Sequence, residues 1–295
     1  MRKINMEYGI VKVPSAFLYE EDKKSIADEL LMGWAVKVLE TETDHCRVVT
    51  HYGYEGYIKR EALLEADREA LADREKQRRL CVVTRAFADV LAEPKVQGEI
   101  KRTICRGGFA DVGTEKVNGY CLVQLADGTK GYLPQVALSE RKDSDAWLWK
   151  EQNADFFVKQ TEDAGICEEK LRSEIVLNAR RYLGTQYRWG GKSASGIDCS
   201  GLAFMSYQMA GVLIYRDAEI KEGYPVRAIE KEALKPGDLI YFPGHVAMYL
   251  GRDHYIHATG YEKSFGCVIN SLNPADSDYR ADLPPKICAY GSIFE

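Results

Sequence analysis

The sequence predicts an α+β fold in which two small β-barrels precede a domain built from helices followed by antiparallel strands. Three observations predict it. A hairpin pattern occurs twice in the first half, a helical apolar stripe begins at Leu171, and alternating apolar runs crowd the stretch from Asp238 to Ser271.

The first hairpin pattern runs from Val48 to Ile58 and is followed by Ala62-Leu63; the second runs from Leu122 to Leu133 and is followed by Ala137-Leu138. Each is an apolar strand, a glycine-bearing turn and a short strand opening with Gly-Tyr, at Gly56-Tyr57 and Gly131-Tyr132. Alternating runs at Trp34–Leu39 and Gly119–Val123 extend the two barrels, assigned to residues 1–66 and 81–140. Between them, the stretch from Glu61 to Arg79 is rich in Glu, Ala, Leu, Arg and Lys, and a helical linker is expected over 67–80. Residues 141–170 read as a further linker, and 171–295 as the third domain. There, Leu171, Ile175, Ala179, Tyr182 and Leu183 mark one face of a helix that Gly184 ends. A second helix is expected from Cys199 to Ala210, closed by Gly211, then strands at Asp238–Phe242, His245–Leu250, Tyr255–Ala258 and Cys267–Ser271.

A chain of 295 residues exceeds what one core ordinarily serves. Its 45% apolar and 29% charged residues exclude global disorder. A net charge of −5, with Lys and Arg outnumbered and scattered, argues against a nucleic-acid groove or a polybasic membrane patch. Eight cysteines with no CxxC pair read as free thiols rather than a disulfide framework. The opening Met1 to Gly9 lacks the apolar stretch of a secretory leader, and no long apolar run follows, so a cytoplasmic protein is expected, or a secreted one if the start has been trimmed.

Chemistry concentrates in the third domain. Asp198 is placed to cap the helix that starts at Cys199, which puts the sulfur beside unpaired backbone N–H groups and the positive end of the helix dipole. Most cysteines are small buried residues, but this placement is expected to favour thiolate, the reactive form of a cysteine nucleophile. Of the five histidines, His245 shares a strand face with Ala247 and Tyr249, and the small Ala247 leaves room beside it. An antiparallel return brings His257 alongside, where its ring can fix the tautomer of His245. His254 points to the other face, and His45 and His51 belong to the first barrel. An isolated strand histidine is ordinarily structural; two on neighbouring strands downstream of a helix-start cysteine form a catalytic constellation. The Cys and His spacings match no compact zinc ligand pair, and no metal or cofactor is expected.

Tyr187-Arg188-Trp189-Gly190-Gly191, Asp198-Cys199-Ser200-Gly201, Leu234-Lys235-Pro236-Gly237-Asp238-Leu239, His245-Val246 and Ile256-His257-Ala258 resemble, in order, the motifs of the NlpC-type cell-wall peptidases. The resemblance implies a papain-like domain behind two SH3-like barrels and a Cys199-His245-His257 triad, with Tyr187 and the Cys199 backbone N–H near the oxyanion site. The whole chain is similar to γ-D-glutamyl-L-diamino acid endopeptidases that recycle murein peptides. That likeness implies hydrolysis of the bond between D-Glu and diaminopimelate or lysine in peptides with a free N-terminal L-Ala. It further implies that Asp198 contacts the free amine, with Ser200, Trp189 and Asp217 of Arg216-Asp217-Ala218 also at the substrate. From the first barrel it implies a tyrosine, here Tyr54, and a carboxylate, either Asp28, Glu29 or neither. The chain departs from that subgroup at Glu219-Ile220-Lys221, where glutamine is frequent, and at Tyr57, where tryptophan is common. An amidase or acyltransferase with the same Cys-His pair, and a non-catalytic wall-binding protein, are the alternatives.

Overall fold

The computed structural model describes residues 6–77, 79–149 and 167–294. The chain divides into two units, Met1–Lys150 and Glu151–Glu295.

The N-terminal unit holds two seven-stranded antiparallel sheets. The first contains β1 (Tyr8–Val11), β2 (Ser15–Tyr19), β3 (Ile26–Leu31), β4 (Ala35–Thr41), β5 (His45–Thr50), β6 (Glu55–Lys59) and β7 (Leu63–Ala66), in the order β3-β2-β6-β5-β4-β1-β7. The second contains β8 (Arg79–Val83), β9 (Phe87–Leu91), β10 (Ile100–Cys105), β11 (Phe109–Val117), β12 (Tyr120–Gln124), β13 (Lys130–Pro134) and β14 (Leu138–Glu140). Its order, β10-β9-β13-β12-β11-β8-β14, is that of the first shifted by seven. The repeated hairpins are β5–β6 and β12–β13, whose inward positions include Cys46 and Val48 in one and Cys121 and Val123 in the other. The repeated glycines also have one cause. A Cβ on Gly56 would lie 2.7 Å from the Tyr19 carbonyl oxygen, and one on Gly131 would lie 2.4 Å from that of Leu91. Both strands therefore cross their neighbours, β2 and β9, at a distance only glycine permits.

Between the sheets runs α1 (Arg68–Gln77), entered through Asp67, whose carboxylate accepts the Ala70 N–H at 2.7 Å. The residues just before it depart from the helical expectation for Glu61 to Arg79. After a single 3-10 turn at Arg60–Ala62, Leu63–Ala66 is strand, because pairing with β1 buries Leu63 and Ala66. Within this unit the Trp34 indole N–H donates to the Gly107 carbonyl at 2.8 Å, and the Phe109 N–H to that of Met32 at 2.8 Å. Arg74 of α1 is buried against Asp145 and the Gly33 carbonyl. Of the expected linker 141–170, Asp145–Trp149 forms a 3-10 turn, and residues 150–166 lie outside the described residues.

The C-terminal unit opens with α2 (Glu168–Arg180), which carries Glu168 and Glu169 in its first turn, where the helix dipole favours negative charge, and buries Leu171, Ile175 and Ala179. The left-handed Gly184 (φ 80°) closes the turns that follow. The short strands β15 (Lys192–Ser193) and β16 (Gly196–Ile197) then lead into α3 (Cys199–Gln208), of which every residue is buried. The sheet comprises β17 (Arg227–Ile229), β18 (Leu239–Phe242), β19 (His245–Gly251), β20 (His254–Thr259), β21 (Gly266–Ser271) and β22 (Ala289–Ser292), ordered β17-β22-β18-β19-β20-β21. On one side α3 packs against β19 and β20; α2 packs against α3 and ties to it through the Asn178 side-chain amide, which donates to the Ser206 carbonyl at 3.1 Å. The strands β17 and β22 escaped the sequence reading because Arg-Ala-Ile and Ala-Tyr-Gly-Ser are too short and mixed to show alternation. All eight cysteines are free. No helix of the described residues is long and apolar enough to cross a membrane.

Candidate active site

The loop between α2 and α3 turns back on itself so that Tyr187 bridges Ile197 and the Asp198 N–H reaches the Gly191 carbonyl. Asp198, extended at φ −98° and ψ 179°, is the N-cap of α3. Its Oδ1 accepts the Gly201 N–H at 2.6 Å, and its Oδ2 the Gly190 N–H at 2.7 Å. The buried guanidinium of Arg216 grips both oxygens at 3.2 Å and donates to the Ser200 hydroxyl at 2.7 Å. Ser200 in turn donates to Oδ1 at 3.4 Å. A carboxylate offers about four acceptor positions, and these donors occupy them. The amine contact that the resemblance implies for Asp198 would have to displace one of these donors. Close packing fixes the same turn: a Cβ on Gly201 would lie 2.2 Å from the Gly191 carbonyl oxygen.

Cys199 therefore sits in the first turn of a helix held from three directions, and the N–H groups of Val246 and Ser200 point at its sulfur. The residue is 8% exposed. Burial, and then the neighbouring Asp198 charge, push the thiol up to about 11 against those two N–H groups and Arg216. This corrects the expectation that helix-start placement favours thiolate. The dipole acts within one turn, and here burial outweighs it, with the carboxylate that caps the helix adding to the rise.

His245 opens β19 after the two-residue turn that returns from β18. Pairing of Met248 with Ile256 and Tyr249 with Tyr255, continued by one step, sets Ala247 opposite His257 and His245 on the diagonal of the same face. The rings meet edge-on, with Nε2 of His245 2.8 Å from Nδ1 of His257. On its far side Nε2 of His257 is 3.0 Å from the side-chain oxygen of Asn270 on β21. Burial is the main cause that lowers both imidazoles, His245 to about 4 and His257 to about 3, with Arg280 adding to each. In His257 the adjacent His245 is the second cause. Both rings are neutral near pH 7. The resting Cys199 thiol and both imidazoles are therefore uncharged near pH 7.

An expected outcome follows for chemical modification. Iodoacetamide alkylates Cys199 more slowly at pH 7 than it does the exposed Cys167 and Cys288 of the same chain. A raised thiol pKa means the thiolate fraction grows with every rise in pH below about 11, so the Cys199 rate continues to climb beyond pH 9. Peptide mass spectrometry of alkylation time courses reads all three residues, and a rate already at its plateau below pH 7 would indicate a standing ion pair.

The other predicted residues fall as follows. The Tyr187 hydroxyl is held protonated by burial and by the nearby Cys199 and Asp198, which keeps it a donor. Trp189 is 65% exposed, an aromatic surface beside the Gly190 turn. Asp217 follows Arg216 and hydrogen-bonds Tyr215, whose ring lies 5.1 Å from that of Tyr224. In the N-terminal unit Tyr54 stacks on Tyr52, whose hydroxyl donates to Asp28 at 2.5 Å; Asp28 and Glu29 are both fully buried. His254 stays apart from the pair, with Nδ1 on the Arg252 carbonyl. His254, Asp276 and Asp278 bring donor atoms within 4.8 Å of one another; no other such group occurs among the described residues. Sequence reasoning missed two partners. Arg216 was visible only as part of a motif, and nothing in the sequence ties it to Asp198. Asn270 alternates with Val268 on β21, a pattern any sheet asparagine can show.

Comparison with known proteins identifies the family. Residues 184–274, which include Cys199, both histidines and Asn270, match the NlpC/P60 family. The chain is 39% identical over 294 residues to dipeptidyl-peptidase 6 of Lysinibacillus sphaericus, spanning 97% of this chain and 99% of that protein. It is 34% identical over 127 residues to a gamma-D-glutamyl-L-lysine dipeptidyl-peptidase of Bacillus cereus, 40% of this chain and 36% of that one. A crystal structure of an NlpC/P60 family protein from Bacillus cereus shares the fold, with a TM-score of 0.71 at 21% identity over 96% of this chain and 98% of that chain. A papain-like arrangement of helix-start cysteine and strand histidine, with similarity along the full chain, makes this protein a cysteine peptidase of the NlpC/P60 family.

Proposed function

We propose that the chain hydrolyses the γ-D-glutamyl–diamino acid bond of peptidoglycan-derived peptides that carry a free N-terminal L-Ala. The observation that carries this reading is the His245–His257 couple at 2.8 Å, on a strand whose next N–H, that of Val246, points at the Cys199 sulfur. The names of the two relatives, a dipeptidyl-peptidase and a gamma-D-glutamyl-L-lysine dipeptidyl-peptidase, supply the substrate class.

In the proposed reaction His245 takes the thiol proton as sulfur bonds to the γ-carbonyl carbon of D-Glu. The negative charge that develops on oxygen is met by the Cys199 backbone N–H, one of the helix donors without an intrahelical partner, and by the Tyr187 hydroxyl. The C–N bond then breaks as the imidazolium gives its proton to the departing amine. Water next attacks the thioester, His245 accepts a proton from it, and the peptide acid leaves as the thiol is restored. Trp189 offers an apolar platform and Asp217 a carboxylate at the substrate. We read the two matching seven-stranded sheets as SH3-like domains over 1–66 and 81–140; their shared strand order and repeated Gly-Tyr hairpins support this.

The test is the product. Incubated with L-Ala-γ-D-Glu-diaminopimelate and its lysine counterpart, the protein releases L-Ala-D-Glu and the free diamino acid, seen by mass spectrometry. An amidase would instead release intact stem peptide from sugar-bearing muropeptides, and a non-catalytic wall-binding protein would leave every peptide whole.

A further inference from the structure

We infer that Asn270, anchored on the backbone carbonyl of Asp278, sets the direction of the proton relay through His257 and so leaves Nδ1 of His245 as the atom that accepts the thiol proton. The inference rests on the Cys199–His245–His257 reading and deepens it. Its starting point is an atom with only one possible role. The Asp278 carbonyl oxygen can accept a hydrogen bond but never donate one, and the Asn270 side chain approaches it at 2.7 Å. The amide nitrogen must face that carbonyl, since the opposite amide orientation would press two oxygens together. The amide oxygen is thereby turned to His257, 3.0 Å from Nε2.

Each following step is forced by the one before. An acceptor at Nε2 requires His257 to carry its proton there, which leaves Nδ1 with a lone pair. That lone pair faces Nε2 of His245 at 2.8 Å, so His245 must carry its proton on Nε2. The remaining nitrogen of a neutral imidazole, Nδ1, is then unprotonated. The relay therefore ends on a neutral backbone group. It selects a tautomer without adding negative charge near the histidines, unlike an aspartate in the same place.

The anchor is itself braced. The Asp278 carbonyl also accepts the Ser271 N–H at 3.3 Å, Ser271 bridges Tyr279, and the Ser271 hydroxyl donates to Asp276 at 2.7 Å. The Tyr279 N–H closes the turn on the Asp276 carbonyl at 3.1 Å. The segment after β21 thus holds one carbonyl in place, and Asn270 transmits that position to the rings.

The experiment uses the full chain labelled with ¹⁵N-histidine, with each signal assigned by single His→Gln variants. At pH 7 the expected spectrum shows His257 and His245 both protonated at Nε2 and bare at Nδ1. Asn270→Ala removes the acceptor and mixes the tautomers; kcat on the L-Ala-γ-D-Glu-diamino acid peptide falls at least about tenfold with KM little changed. Asn270→Asp keeps an oxygen facing His257 but sets its second oxygen against the Asp278 carbonyl in place of the amide donor. It therefore retains the His257 tautomer and more kcat than the alanine variant but less than wild type, and circular dichroism confirms that both are folded. A wild-type His257 protonated at Nδ1, or an Asn270→Ala protein with the wild-type imidazole spectrum and kcat, would overturn the inference. The tautomer measurement needs no substrate, so it decides the question even if that peptide proves not to be cleaved.

Discussion

Cys199→Ser lowers kcat/KM for the γ-glutamyl peptide by on the order of 10⁴-fold or more while KM changes little. The geometry explains why one atom matters so much. Cys199 is 8% exposed and its sulfur already partnered by the Val246 and Ser200 N–H groups, so a serine hydroxyl fits the same space and the fold is retained. What is lost is nucleophilicity. A neutral His245, lowered to about 4 by burial, can draw a proton from a thiol far more readily than from an aliphatic hydroxyl. Retained binding with lost turnover is the signature of an interaction made only as the bond forms. Steady-state kinetics with released diamino acid as readout, alongside a thermal melt, checks both halves.

Arg216→Leu produces the largest loss of stability. It removes one member of a buried pair whose guanidinium and carboxylate are 2% and 9% exposed. Asp198 then keeps only the Gly190 and Gly201 N–H groups and the Ser200 hydroxyl, and breaking such a pair costs roughly 3–5 kcal/mol. For a unit of this size that is about 10 °C or more in Tm. Activity falls further than stability alone accounts for, because Asp198 caps the helix whose first residue is Cys199, the proposed nucleophile. Arg216→Lys restores charge without the planar fork and should recover only part of both losses. A leucine variant with wild-type Tm and kcat/KM would show that the pair does not hold α3.

Much of this was legible in the sequence. Duplicated hairpins announced duplicated sheets because the same close crossing demands glycine at 56 and at 131. The period of two around His245 and His257 put both rings on one face, and strand order brought them together. The stripe from Leu171 to Ala179 marked α2 because that helix has a solvent side. By contrast α3 is buried all round and shows no such stripe, so only its cap and the glycine beyond it located it. The stretch from Leu63 to Ala66 misled because propensity favours helix while pairing with β1 decides for strand. The thiol's state was misread for a related reason. A helix start is visible in a sequence, whereas the burial that outweighs it depends on strands tens of residues away. Arg216 and Asn270 were hidden because polar side chains reveal their partners only when the chain has folded.

The most direct measurement is capture of the acyl-enzyme. When wild-type protein is mixed with L-Ala-γ-D-Glu-diaminopimelate, quenched in acid and digested, the peptide containing Cys199 should gain the mass of the L-Ala-D-Glu acyl group. Hydroxylamine should remove that mass, as it does from a thioester. Turnover without any such adduct in wild type, or an adduct on a different residue, would contradict the assignment of Cys199 as nucleophile.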